Sequence, residues 1–358
     1  MFQIGVTPDF YVEASEHLEP MLKEQMAGLE GIECGPMPQQ PGNLGTPDAL
    51  DRFDAIFSLA LKIDESSLRG VERLAMIARW GVGYDMIDVD ALTAADVMLC
   101  ITPNAVKRPV AEAILTLIFA LAKNLFQQDR ITRAGGWRKD LKRLGTSLPG
   151  KTLGSVGCGN IARELFSLAR PLGFSRILAC DPYVKECPGV ELVDMDTLFR
   201  ESDFVTVNTL LNKTTRGLIG EREFRAMKPT AFFINTARGP IVQHDALIRA
   251  LREDWIAGAG IDVFPVEPPP KDDPLLELEN VIVTPHGIAW TDSLMRDNGR
   301  EAFANVLAIA RGELPGGIVN RDVIERAGFQ AKLQRCLSLA YARGSEKQSD
   351  PPQAEPRA

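Results

Sequence analysis

The stretch Lys151-Thr-Leu-Gly-Ser-Val-Gly-Cys-Gly-Asn-Ile-Ala-Arg-Glu-Leu165 decides the fold. It reads as a short apolar strand, a turn on Gly157 and Gly159, and the start of an amphipathic helix. Gly157 permits the tight turn, and Gly159 removes the Cβ that would obstruct a pyrophosphate. Ala162 is small enough at the third position for helix and strand to pack closely. A helix beginning there aims unpaired N–H groups and a positive dipole end at an anion, which makes Gly157, Gly159, Asn160 and Ile161 candidate dinucleotide contacts. A glycine pattern alone is weak evidence, and its surroundings carry the weight. The next strand-like run, Arg176–Cys180, ends in Asp181, about 20 residues beyond the turn, where a carboxylate accepts bonds from ribose hydroxyls and repels a 2′-phosphate. That favours NAD over NADP as cofactor, although the nearby Lys185 works against the preference.

Working outward, strand-sized apolar runs recur at Phe2–Val6, Ala55–Leu61, Ala75–Ala78, Val97–Ile101, Thr152–Val156, Arg176–Cys180, Phe204–Val207, Ala231–Ile234, Ala257–Asp262 and Val281–Val283. Helix-length segments separate most of them, which implies βαβ units and parallel sheets in an α/β protein. Two long helices stand out, over about 105–125 and 293–310. The first is apolar nearly all round and is expected to be buried on both faces. The arrangement expected is two Rossmann-like or flavodoxin-like domains, the NAD-binding domain inserted into a discontinuous substrate-binding domain. The substrate domain spans 1–102 plus 314–340, and the NAD domain spans 103–313 and includes both crossover helices. The polar, proline-rich tail 344–358 is expected to be disordered.

Ligands of open parallel sheets bind beyond the carboxyl ends of the strands. Reading only those ends yields Asp181, then Asn208 and Thr209, then Thr236, Ala237 and Arg238, then Asp262, and finally His286. With Thr215 in the loop after Thr209, these are the expected cofactor-facing positions. Polar groups are common at strand ends, so the inference rests on their joint occurrence. Oxidising a secondary alcohol needs a hydride acceptor, a base for the hydroxyl proton and a cation to orient the oxygens. Of the three histidines, His17 reads as a surface-helix residue and His244 as a helix start, which leaves His286 as the acid/base candidate. Arg238 follows a buried strand and offers a charged fork for a carboxylate. Glu267 lies in the stiff segment Asp262-Val-Phe-Pro-Val-Glu-Pro-Pro-Pro270, where it reads either as a partner that fixes the His286 tautomer or as a solvated loop residue.

The bulk composition narrows the class. The net charge of −8 argues against nucleic acid or an anionic membrane surface as a partner. The six cysteines have no paired spacing, so no metal site is expected and free thiols in a reducing compartment are. No leader-like segment opens the chain. The apolar run Ala113–Ala122, bracketed by Glu112 and Lys123, is shorter than the about 20 residues that a membrane span needs. A cytoplasmic protein is the expectation.

Several further segments fall in one order along the chain: GVGYDMIDVDAL (81–92), TPNAVKRPVAEAIL (102–115), the glycine turn, TTRGLIGEREFRAMKPTAFFINTARGPIVQHDAL (214–247), AGAGIDVFPVEPPP (257–270) and TPHGIAWT (284–291). From about residue 50 to about 320 the chain resembles the D-isomer-specific 2-hydroxyacid dehydrogenases. The resemblance implies that Arg238 binds and polarises the substrate, that Glu267 supports the histidine and that His286 is the acid/base. It also implies that Asp262 orients the nicotinamide amide, that backbone N–H groups at Val82 and Gly83 hold the substrate carboxylate, and that a homodimer forms around the long helix after Pro103. The chain departs from the family pattern at Met86, Ala162, Asn208 and Leu210, none of which removes a catalytic group. The loop after Ala55–Leu61 offers Lys62 but no arginines for a phosphorylated substrate, which speaks against phosphoglycerate. Trp80 and Trp290 flank the presumed substrate elements and read either as ordinary packing aromatics or as residues that shape the pocket.

The expected function is NAD-dependent hydride transfer to C2 of a small 2-keto acid such as glyoxylate or hydroxypyruvate. The sequence leaves open an NAD-sensing, corepressor-like binding protein on the same fold. Such proteins keep the same arginine, glutamate and histidine.

Overall fold

The computed structural model describes residues 1–341. The described chain divides into two compact units, Met1–Ala105 with residues 292–341, and Val106–Thr291. The tail expected at 344–358 lies outside the described residues.

In the first unit the strands are β1 (Phe2–Val6), β2 (Ile32–Pro36), β3 (Ala55–Ser58), β4 (Met76–Arg79) and β5 (Met98–Cys100). They form one parallel sheet in the order β2-β1-β3-β4-β5. Phe2, Ile4, Phe57, Met76 and Met98 face a core closed by Phe303, Val306 and Ile309 of the Asp292–Ala310 helix and by Phe329 and Leu333 of the Ala327–Tyr341 helix. Phe57 and Phe303 stack with ring centroids 5.8 Å apart.

This packing corrects the expected boundary, which put the second crossover helix in the NAD-binding domain. Its apolar stripe is satisfied by the first unit's sheet, so 292–313 belongs there. Trp80 takes the packing reading. Its ring is buried edge-on against Phe10 at 4.7 Å and Phe57 at 6.5 Å, in the core rather than at a pocket wall.

The second unit holds β6 (Thr152–Val156), β7 (Arg176–Cys180), β8 (Glu191–Leu192), β9 (Phe204–Val207), β10 (Phe232–Asn235), β11 (Gly258–Ile261) and β12 (Val281–Val283). The order is β12-β11-β10-β9-β6-β7-β8, again parallel throughout. β6, β9, β10 and β11 are buried along their whole length, as strands covered on both faces must be. Strand order reverses at β6, between β7 and β9, the point where a doubly wound sheet opens a crevice. The register aligns Val156 with Cys180 and Val207, Val207 with Asn235, Asn235 with Ile261, and Ile261 with Val283. The residues that follow these strands therefore emerge at one edge.

The Pro103–Ala122 helix buries Ala111, Ile114, Leu117, Ile118 and Leu121 in the second unit's core, but Phe119 is exposed, so it is not covered on every side as expected. Among the described residues no single helix is long and apolar enough to cross a membrane; this helix and Leu125–Arg133 are apolar enough only together, and they meet at a 55° bend. All six cysteines are free.

Candidate active site

The glycine turn is built as the sequence predicts. Gly157 has φ +102°, and a Cβ there would lie 2.5 Å from the Asn208 carbonyl oxygen, so only glycine fits. Its N–H donates to the Cys180 carbonyl at 2.8 Å, which ties the end of β6 to the end of β7. At Gly159 a Cβ would meet nothing within 4 Å, and that open side is where a phosphate can approach. Gly159 is the N-cap of the Asn160–Ala169 helix, and no side chain caps it. The first-turn N–H groups are thus left for an anion. These features fit a dinucleotide pyrophosphate.

Asp181 stands at the next strand end. Its Oδ2 accepts the Cys158 N–H and its Oδ1 the Tyr183 N–H, both at 2.9 Å. The carboxylate is thereby fixed against the glycine turn with lone pairs remaining for ribose hydroxyls. Two other expected cofactor contacts are engaged elsewhere. The Asn208 amide donates back to Ser155 Oγ at 2.9 Å and Thr206 Oγ1 at 3.0 Å. The Thr215 hydroxyl donates to Leu210 O at 2.6 Å and so braces its own loop. Thr209 lies between them, half-buried.

Past β10 the Asn235 side chain brackets the turn, accepting from Ala237 N–H and donating to Arg238 O, each at 3.0 Å. This holds Thr236, Ala237 and Arg238 at the strand end. Gly239 has no room for a Cβ because the Phe264 backbone presses against it. The Arg238 loop is thus drawn against the loop that carries Glu267. The sequence reading passed over both residues, and the glycine in TARGP was the available sign.

Glu267 and His286 meet. His286 Nδ1 lies 2.8 Å from Glu267 Oε2, while Glu267 Oε1 accepts the Phe264 N–H at 2.9 Å. Burial opposes ionisation of Glu267. The imidazole's hydrogen bond, the Phe264 N–H and the charges of His286 and Arg238 outweigh it, holding the carboxyl below its ordinary range. A depressed carboxyl stabilises the fold above the usual carboxylate range and loses that contribution as pH falls through its lowered value.

His286 has φ +51°, uncommon for a side chain of this kind. Asp262 holds it there. The Asp262 carbonyl accepts the His286 N–H at 2.8 Å, and its buried Oδ1 takes Thr284 Oγ1 at 2.6 Å, Gly287 N–H at 3.1 Å and Ile288 N–H at 3.3 Å. Burial pushes the Asp262 carboxyl up against the lowering effect of these bonds. Asp262 therefore positions the histidine turn, a task the sequence did not disclose. The other ring expected to be structural, His244, is tied to both Asp273 oxygens at 2.9 and 3.0 Å.

In the first unit, β4 runs into Trp80-Gly81-Val82-Gly83. The N–H of Gly81 is bound, but among the described residues those of Val82 and Gly83 donate to no protein group, and both residues are half-exposed. Consecutive unpaired amides suit a carboxylate.

Residues 115–287 match the NAD-binding domain of the D-isomer specific 2-hydroxyacid dehydrogenases. Over 303 residues the chain is 37% identical to a glyoxylate reductase of Thermococcus litoralis, covering 82% of this chain and 91% of that protein. The chain belongs to the D-isomer specific 2-hydroxyacid dehydrogenases. This dehydrogenase is accordingly a nicotinamide-dependent oxidoreductase acting on a CH–OH group. It is also 39% identical over 290 residues to a D-3-phosphoglycerate dehydrogenase of Methanocaldococcus jannaschii, but covers 54% of that longer protein. Among solved structures, a glyoxylate reductase from Paecilomyes thermophila superposes with a TM-score of 0.76 at 28% identity, covering 90% of this dehydrogenase and 99% of that chain.

Proposed function

We propose that this dehydrogenase interconverts a small 2-keto acid and its D-2-hydroxy acid, with glyoxylate or hydroxypyruvate as substrate and NAD(H) as coenzyme. The observation that carries the reading is the His286–Glu267 pair at 2.8 Å, at the strand-end edge of the sheet that bears the glycine turn. The likeness to glyoxylate reductases supports the substrate class.

When bound, the nicotinamide supplies the hydride for C2 in reduction and takes it back in oxidation. His286 manages the proton. With Nδ1 facing the Glu267 carboxylate, Nε2 is the nitrogen that gives a proton to the C2 oxygen, or withdraws it in the reverse direction. Arg238 orients and polarises the carbonyl, and the Val82 and Gly83 N–H groups receive the substrate carboxylate. Gly157, Gly159, Asn160 and Ile161 hold the pyrophosphate, and Asp181 the adenosine ribose. Thr209, Thr236, Ala237 and Asp262 are assigned to the nicotinamide end, Asn208 and Thr215 as braces of that loop.

The acting form is proposed to be a homodimer. Phe119, Leu125, Phe126, Trp137 and Leu144 are exposed on and after the long helix, apolar surface of the kind a second copy covers. Six free thiols favour a reducing compartment, in keeping with a cytoplasmic enzyme.

A panel of 2-keto acids followed by NADH absorbance tests the assignment. Glyoxylate and hydroxypyruvate are expected to be reduced, and 3-phosphohydroxypyruvate poorly. Failure of every acid alongside tight NADH binding would instead favour an NAD-sensing protein. Asp181→Ala is expected to weaken NADH binding and narrow the NADH-over-NADPH preference by about ten-fold, through loss of two charge-assisted ribose bonds and of the repulsion of a 2′-phosphate. An unchanged coenzyme ratio in paired kcat/KM measurements would remove Asp181 from the ribose.

A further inference from the structure

The loop proposed to receive the substrate carboxylate is held from beneath by a buried polar chain. Thr102, fully buried after β5, accepts the Gly81 N–H on its Oγ1 at 2.7 Å, and Thr102 N–H returns a bond to Gly81 O at 3.1 Å. The Thr102 hydroxyl lies 2.5 Å from Asn298 Oδ1 on the Asp292–Ala310 helix, and 3.4 Å from Gly81 O. Asn298 is itself buried. The helix comes this close because its next residue is Gly299, where a Cβ would lie 2.9 Å from Met21 and 3.1 Å from the Trp80 ring.

A hydroxyl has one proton and two lone pairs. With its proton directed to the nearer acceptor, Asn298 Oδ1, its lone pairs are left for the Gly81 N–H. Without Asn298 the proton's remaining acceptor is Gly81 O, and turning toward it draws the lone pairs off the N–H. Gly81 has φ +115°, and the Arg79 guanidinium, which donates to Trp80 O, packs where a Cβ would stand. The Gly81 peptide sets the direction of the two that follow, whose N–H groups are the unpaired ones.

We infer that Asn298, acting through the Thr102 hydroxyl, is a positioning residue that orients the Val82–Gly83 amides toward the substrate carboxylate. The inference rests on the substrate reading above, because it concerns the same two amides. Asn298 lies on a helix far along the chain from GVGYD and in none of the motifs that mark the family in this sequence.

The test uses the full-length enzyme and four readouts: KM and kcat for glyoxylate, Ki of the dead-end dicarboxylate oxalate, Kd of NADH, and Tm. Thr102→Val leaves the buried Gly81 N–H without an acceptor and is expected to raise KM and the oxalate Ki about ten-fold, with NADH Kd unchanged. Thr102→Ser restores the hydroxyl and is expected to return both to within about two-fold of wild type. Asn298→Ala is expected to raise both by about three- to five-fold with little change in kcat. A merely structural role would lower Tm and the active fraction without moving KM or Ki. Wild-type KM and Ki in Asn298→Ala overturn the positioning role even if Thr102→Val does not fold. Failure of the substrate reading looks different: the wild-type enzyme itself neither reduces glyoxylate or hydroxypyruvate nor binds oxalate, and both proposals fall.

Discussion

Replacing His286 with alanine is expected to cut kcat for keto-acid reduction by about 10²–10⁴-fold while NADH affinity stays within about two-fold. The size follows from what the imidazole alone supplies. Of the three histidines, His17 is exposed on a helix and His244 is bound to Asp273, so neither replaces it. Glu267 is hydrogen-bonded to Nδ1, behind the ring nitrogen proposed to face C2, so it is not placed to give the proton in the imidazole's stead. The alkoxide forming at C2 would have to draw its proton from water. Coenzyme affinity is expected to survive, because the glycine turn and Asp181 are fixed by bonds to Cys180, Cys158 and Tyr183 that do not involve the histidine. Steady-state NADH oxidation and a fluorescence titration of NADH make the two measurements. Near-normal turnover in the variant would end the acid/base assignment.

Arg238→Lys is the second large effect, with kcat/KM expected to fall by about 10²-fold or more. Charge is conserved in this change, so only the forked geometry is removed. The turn itself should persist, since Asn235 holds it through the backbone of residues 237 and 238, beside the one bond that the Arg238 guanidinium gives the Ala237 carbonyl at 2.7 Å. An ammonium is a single charge that cannot span a carbonyl and a carboxylate with two parallel bonds. The loss should appear in kcat and KM together, because the fork binds the acid and also steadies charge growing on its carbonyl oxygen. A kcat/KM within about three-fold of wild type would mean that Arg238 serves as a charge alone.

Most of the fold was legible in the strand pattern. Phe2–Val6, Thr152–Val156, Arg176–Cys180, Phe204–Val207 and Val281–Val283 form with the expected limits. The strands passed over, Ile32–Pro36 and Glu191–Leu192, are half-exposed edges of their sheets with little apolar run to reveal them. The ten-residue helix after the glycine turn has no side-chain cap, as expected of a turn whose amides are proposed to meet a phosphate.

The displaced boundary at 292–313 and the burial of Trp80 share one cause. An apolar stripe records that a helix or ring will be covered but not by which core, and both found theirs on the first unit's sheet. Asn208 shows the same limit for polar groups. A strand-end amide can face a ligand or fold back, and here Ser155 and Thr206 take it back.

By itself the sequence determined the parallel α/β plan, the glycine turn, the carboxylate after β7 and which arginine and histidine are proposed for the chemistry. Each of these is local, resting on periodicity, on the missing Cβ of a glycine or on the chemistry of a side chain. Whether Glu267 is a solvated loop residue or the partner of His286 was decided only in three dimensions. The two are brought to 2.8 Å by the close approach of Gly239 to the Phe264 backbone and by Asp262 gripping the turn at His286. Asn298 reaches Thr102 in the same way, across nearly two hundred residues, because Gly299 lets the helix settle onto Trp80. Pairings of this kind depend on which backbones pack in contact, and that is a property of the folded core rather than of any segment read alone.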